Sequence, residues 1–280
     1  MWLPFSSESS HSRILWRIVS EANLYTTQLQ AGLGLIDETK TLLELWAPGM
    51  DVSRLLQAAL HSGSFPTVAA RRLRNIIAEC FAPRYLVNHG APAEHLKHLL
   101  PHLSSMELQQ LFLLYTARAN AILADFIRQV YWVRYAGGHV EVSNEDARRF
   151  VESAIDHGRM AKRWSESTVR HVSGYLSGCC ADYGMLEHGT KSSRRILPFR
   201  IAPRVVMYLA YEIHFAGVGD NAMLGHEDWE LFGLNRFDVL DEIKRLALKG
   251  MLIVQAAGDA VQINWKFQNM ETACNVLTEI

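Results

Sequence analysis

Residues 164–201, WSESTVRHVSGYLSGCCADYGMLEHGTKSSRRILPFRI, constrain the fold more than any other stretch of this chain. Ser and Thr oxygens open an amphipathic helix, and Gly184 ends it. Met185-Leu186 then reads as a short apolar strand, 188–193 as a polar tip, and 194–201 as a second strand. Helix, strand, basic tip and strand, in that order, predict a winged helix. The same order recurs downstream. A helix ending at Lys249 meets Gly250-Met251-Leu252-Ile253-Val254, then a turn at Ala257-Gly258-Asp259, then a strand over 260–267. The repeated Gly-Met-Leu at 184 and 250 points to a repeated architecture.

Charge separates the two halves of that repeat. The 280-residue chain carries a net charge of −1, so it is no general polycation, and any surface for a polyanion has to come from local segregation. Residues 159–204 hold nine Lys/Arg against three acids, net +6. Residues 205–280 hold five against eleven, net −6. Four cysteines (Cys80, Cys179, Cys180, Cys274) show neither CxxC nor Cys/His ligand spacing, which fits reduced, buried thiols in a cytoplasm. The N-terminus has no basic lead before an apolar run, so no signal peptide is expected. The most membrane-like region, 108–135, is interrupted by Arg118, Asp125, Arg128 and Arg134, and no membrane partner is expected.

Taken in order, four segments are expected. Residues 1–90 form a helical domain: an apolar helix over 14–23, a turn at Gly32 and Gly34, then helices over 37–46, 51–61 and 67–81. Asp51 caps the third of these, with Leu55, Leu56, Ala59 and Leu60 buried. Thr67 caps the fourth, which ends before Pro83. A short helix, a tight connection and a helix exposing Arg71, Arg72 and Arg74 follow the pattern of a helix-turn-helix. Residues 91–138 form a central scaffold, with 105–135 too long for one globular helix and read as two. His95, His98 and His102 are read as surface histidines, because Pro101 breaks the helix and neither a carboxylate nor a cysteine joins them. Residues 139–202 form the basic winged unit, in which Val140 and Val142 supply a third strand and a helix over 145–157 follows. Residues 203–280 form the acidic one. There 216–224 is a loop, 226–232 a short helix, and 236–249 a helix buried through Phe237, Leu240, Ile243 and Leu246. Ile253, Val261 and Ile263 point inward from its wing.

Gly174 and Gly178 sit mid-helix on the face that also carries Thr168, Arg170, His171 and Ser177. Each costs roughly 1 kcal/mol against alanine, so close approach by another helix or by a DNA backbone has to offset them. No GxxxxGK[ST], GxGxxG after a strand, HExxH, GxSxG or DxDxDG appears, so neither an enzyme nor a cofactor is expected.

From Tyr25-Thr26 to Ala31-Gly32-Leu33, and through FPTVAARRLRNIIAECFAPRYL (65–86), VYWVRYAGG (130–138) and WSESTVRHVSGYLSGCCADYGML (164–186), the chain resembles the BrxA family. These are small proteins encoded in bacterial BREX phage-defence clusters. The resemblance implies a cytoplasmic, mostly helical, DNA-binding accessory protein, with other BREX subunits as partners. The methyltransferase, ATPase and phosphatase-like activities belong to those subunits. No catalytic motif of the family carries over to these residues.

The resulting expectation is a mainly α fold: a helical scaffold bearing helix-turn-helix and winged-helix units with short two- to three-stranded wings. Its function is low-specificity binding of double-stranded DNA. The expected contacts are Arg71, Arg72, Arg74, Lys162, Arg163, Ser167, Thr168, Arg170, His171, Lys191, Arg194 and Arg195. The alternatives are a protein-interaction module of a defence complex and a winged-helix transcriptional regulator.

Overall fold

The computed structural model describes residues 24–28, 34–189, 192–258 and 260–280. The helix expected at 14–23, the turn at Gly32, the hairpin tip at Asp259 and the candidate contact Lys191 lie outside the described residues.

Helix α1, Ile36–Leu45, carries Asp37 and Glu38 in its first turn, beside the positive end of the dipole. Helix α2, Val52–His61, starts at Asp51, whose carboxylate accepts from the Arg54 N–H at 2.8 Å. Leu55, Leu56 and Ala59 enter the core, but Leu60 faces solvent. Five residues from Leu55 turn about 140° round a helix, away from the stripe.

Helix α3 covers 70–85 and corrects two expectations. It starts at Ala70 with no side-chain cap, so Thr67 does not open it. It also runs past Pro83: after Ala70–Asn75, a π-helical turn at Ile76–Phe81 leads into Ala82–Tyr85, with the Ala82 N–H reaching the Ile77 carbonyl. Proline lacks an N–H and crowds the carbonyl one turn back, and a widened turn accommodates both.

Helix α4 is Ala91–Leu99, with Pro92 in its first turn. Helix α5, Ser105–Ala119, opens with a reciprocal Ser104–Glu107 capping box. From Leu111 to Ala117 every residue of α5 is buried, the mark of a helix surrounded on all sides. It breaks at Asn120 (φ −137°, ψ 88°), whose side-chain amide donates to the Thr116 carbonyl at 2.9 Å. Helix α6 (121–136) follows, again with a π-helical turn, Ile127–Tyr131.

The next elements are β1 (Glu141–Ser143), α7 (Asn144–Asp156), α8 (Glu166–Asp182) and β2 (Ser193–Arg195). Antiparallel pairing sets Glu141 opposite Arg195 and Ser143 opposite Ser193. An antiparallel bridge, Leu186 to Ile196, folds 185–187 back against 193–197, and these two segments are the arms of the hairpin, with β1 as the added strand. Val142 is buried, whereas Val140 is exposed. The strand expected over 194–201 stops early, because Pro198 has no N–H to continue a ladder.

The last third contains α9 (Pro203–Phe215), α10 (Asp220–Met223), α11 (Glu227–Glu230), α12 (Arg236–Leu248), β3 (Leu252–Ala257), β4 (Ala260–Trp265) and α13 (Met270–Glu279). Strands β3 and β4 pair antiparallel, with Leu252 opposite Trp265 and Ala257 opposite Ala260. The segment expected as a loop holds α10, which covers the outer edge of β4: Asp220 accepts from the Ile263 N–H (2.7 Å) and the Trp265 indole (3.1 Å), and Asn221 from the Val261 N–H (3.2 Å). Two inward assignments are corrected. Phe237 is 76% exposed, because Val239, Ile243 and Leu246 set the buried face of α12. Ile253 is 61% exposed, because buried Leu252 takes the inward position and strand neighbours alternate.

The result is a mainly helical scaffold with two small antiparallel sheets. Buried side chains from Tyr25 to Leu277 form one contiguous core. Helices α3, α6 and α9 pack on α5, and α13 lies over α4 and α9. A buried polar chain ties α5 to α9 and α11. The Tyr115 hydroxyl meets Tyr208 and Glu212, each at 2.5 Å, and Arg118 Nη2 lies 2.8 Å from both Glu212 and Asp228. Burial alone would raise the Asp228 pKa, but the His226 hydrogen bond and the Arg118 charge hold it below its ordinary value. Among the described residues no helix is long and apolar enough to cross a membrane.

Candidate nucleic-acid interface

Ser165 fixes the start of α8: its hydroxyl accepts from the Thr168 N–H at 3.2 Å. From that start the helical period decides which side chains share a face. Val169, Val172, Leu176 and Cys179/Cys180 are buried. Ser167, Arg170, His171 and Gly174 are exposed, and their spacing of three and four aligns them in one stripe. Thr168 sits at its edge, half-buried, its hydroxyl 2.9 Å from that of Ser165.

Gly174 settles half of the question posed by the two glycines. A Cβ built there meets nothing within 4 Å, so no crossing helix among the described residues explains it. Gly178 is buried, and so is its neighbour Ser177, so neither lies on the exposed face expected for them. The stripe is therefore a bare backbone patch flanked by a cation and an imidazole.

The remaining basic residues divide by their partners. Arg159 is structural: it lies 3.0 Å from Asp125 and stacks over the Tyr25 ring at 4.5 Å. Lys162 and Arg163 are exposed just before α8, with Arg163 loosely paired to Asp156 at 4.0 Å. Glu166, the one acid at the helix start, is taken by Arg148 at 2.9 Å. On the hairpin Arg195 is exposed and 3.7 Å from Glu187. Arg194 turns inward, is half-buried, and donates to the Glu187 carbonyl at 3.2 Å. Arg71, Arg72 and Arg74 are exposed on the first turns of α3 and form a separate patch on another element. For Lys162 and Arg170, as for those three, no acidic partner occurs among the described residues.

Sequence reasoning missed Arg84. It is 2% exposed, and its Nε and Nη1 have no hydrogen-bond partner among the described residues. Tyr85 and Tyr183, the latter bonded to Thr116 at 2.6 Å, are among its surroundings. The histidines come no closer to a metal site: His95 faces the Tyr208 hydroxyl at 3.4 Å, and among the described residues no group of three or more His, Cys, Asp or Glu is placed to hold an ion.

Fold and surface together define a helical scaffold protein bearing two helix-and-hairpin units, one with an exposed stripe whose arginine has no acidic partner among the described residues. The chain belongs to the BrxA family, whose model matches residues 23–212, from the first described residues through most of α9. Membership places it among the proteins of BREX-associated phage defence. Neither the curated proteins nor the solved structures compared with the chain give a match.

Proposed function

We propose that this is a non-enzymatic, cytoplasmic accessory protein of a BREX system that binds double-stranded DNA with little sequence preference. In this reading 139–202 acts as a winged helix, with α8 laid against the duplex and the hairpin beside it. The observation that carries the reading is the α8 stripe: Ser167, Arg170, His171 and Gly174 on one exposed face, with nothing among the described residues over the glycine. A glycine exposed mid-helix lets a phosphate backbone approach closely. Lys162 and Arg163 lead into the stripe, Arg195 adds an exposed cation on the hairpin, and Arg71, Arg72 and Arg74 supply a second patch. Few of these residues can pair with a base edge in two-pronged fashion, which favours backbone contact over base reading. The acidic unit takes another role, since Asp238 and Asp241 on the exposed side of α12 would repel phosphate. It meets protein, including other BREX subunits.

The test is salt-titrated binding to duplex, single-stranded DNA and RNA, with Arg170→Ala and Gly174→Leu. Arg170→Ala lowers affinity for every duplex sequence and reduces the slope of log K against log salt by about 1. Gly174→Leu stabilises the helix by roughly 0.5–1 kcal/mol yet weakens duplex binding. Unchanged binding by both folded variants removes α8 from the interface.

A further inference from the structure

The exposed side of α12 is self-complementary. Phe237 (76% exposed), Asp241, Lys244 and Leu248 (89% exposed) recur at spacings of four, three and four, so they form one stripe along the helix. Read backwards, the stripe matches itself: apolar opposite apolar at both ends, and acid opposite base twice in the middle. In an antiparallel pair of such helices Phe237 faces Leu248 of the other copy, and Asp241 faces its Lys244. The stripe also has somewhere to put the aromatic ring. Beside Leu248, between α12 and the segment 198–202, opens a groove of about 710 Å³ with Phe199, Val206 and Leu246 among its lining. Arg200, Arg245 and Lys249 stand at its rim against one carboxylate, buried Glu242, which Arg200 and Arg245 already share. An apolar anchor flanked by acids suits that rim and floor, and Phe237 beside Asp238 and Asp241 is such an anchor.

We propose that this surface joins two copies of the chain in a twofold dimer, α12 against α12, with each Phe237 seated in the other copy's groove. Such a two-fold contact uses the same patch on both partners, as an isologous interface requires. It leaves α8 outside the contact, and it holds whether or not α8 binds DNA.

The experiment is sedimentation of the full-length chain over a concentration series, with the melting midpoint as a folding control. Wild type is expected to go from monomer to dimer. Asp241→Lys and Lys244→Asp each set like charges face to face twice and raise the dissociation constant at least about tenfold. Two combinations restore dimers: the double variant, and an equimolar mixture of the two single variants, which pairs only as a heterodimer. Leu248→Asp abolishes association. A wild-type chain that stays monomeric at about 100 µM, far above a micromolar constant, overturns the proposal. So does equal dimerisation of the single variants, or failure of the mixture to pair.

Discussion

Arg84 is the residue most at odds with its surroundings. A guanidinium buried among Tyr85, Tyr183, Cys80 and Cys179 loses its hydration, and two of its nitrogens recover no hydrogen bond among the described residues. Replacing an unpaired buried ion with an apolar side chain of similar length generally stabilises a fold. Arg84→Met is therefore expected to add about 1 kcal/mol or more, a rise in melting midpoint of roughly 2–4 °C. A lower midpoint would mean that the guanidinium holds the aromatic cluster together. No local pattern signals this burial, because Arg84 comes directly after Pro83, where an α-helix should already have ended. The π-helical turn rotates the residues beyond it about the helix axis, and periodicity alone carries no sign of that rotation.

At the scale of elements, legibility in the sequence depended on how local the cause was. Caps and glycine stops rest on neighbouring residues, so Asp51 and the Ser/Thr start of α8 were recognisable, and Gly184 as a stop. Faces were recognisable where a stripe had one solution, as in the first turns of α8, but Ser177 and Gly178, expected on its open face, are buried where the helix runs into the core. They were not where two apolar residues competed: Phe237 lost the inner face of α12 to Val239, and Ile253 lost its place to Leu252. The stripe that could contact DNA was legible, but Arg194 was not separable from Arg195, since only the hairpin's register turns one inward. Helix α10 was missed because its role is tertiary. Four residues long, it satisfies the outward N–H groups of β4. Asp220→Ala with Asn221→Ala should leave that edge unpaired, an invitation to strand addition. The expected result is concentration-dependent light scattering that the wild type does not show, and a variant that stays clear would assign α10 to packing alone.

The whole molecule should respond to acid in two stages. Burial lowers the His95 and His214 pKa values below the ordinary 6.5, so the unfolded chain takes up their protons first. Stability is then full above pH 6.5 and declines as pH falls below it. Burial would raise the Asp146 and Asp228 carboxyls, but Ser143 and Arg134 at one, and His226 and Arg118 at the other, hold them below the ordinary 3.8. Their contribution is present above 3.8 and lost as pH drops through the lower folded values. Urea midpoints measured from about pH 8 to 3 should show both declines, and a flat profile between about 8 and 5 would exclude the histidine stage.

The four thiols carry a further consequence. All are free and buried, and burial pushes Cys179 and Cys274 up to about 12. A thiol-specific dye should therefore ignore the native protein and label it only when it opens, making the chain its own stopwatch. Cys274 sits on the terminal helix α13 and the adjacent pair Cys179–Cys180 in the heart of α8. Labelling of Cys274 ahead of that pair would time the undocking of the last helix separately from collapse of the whole.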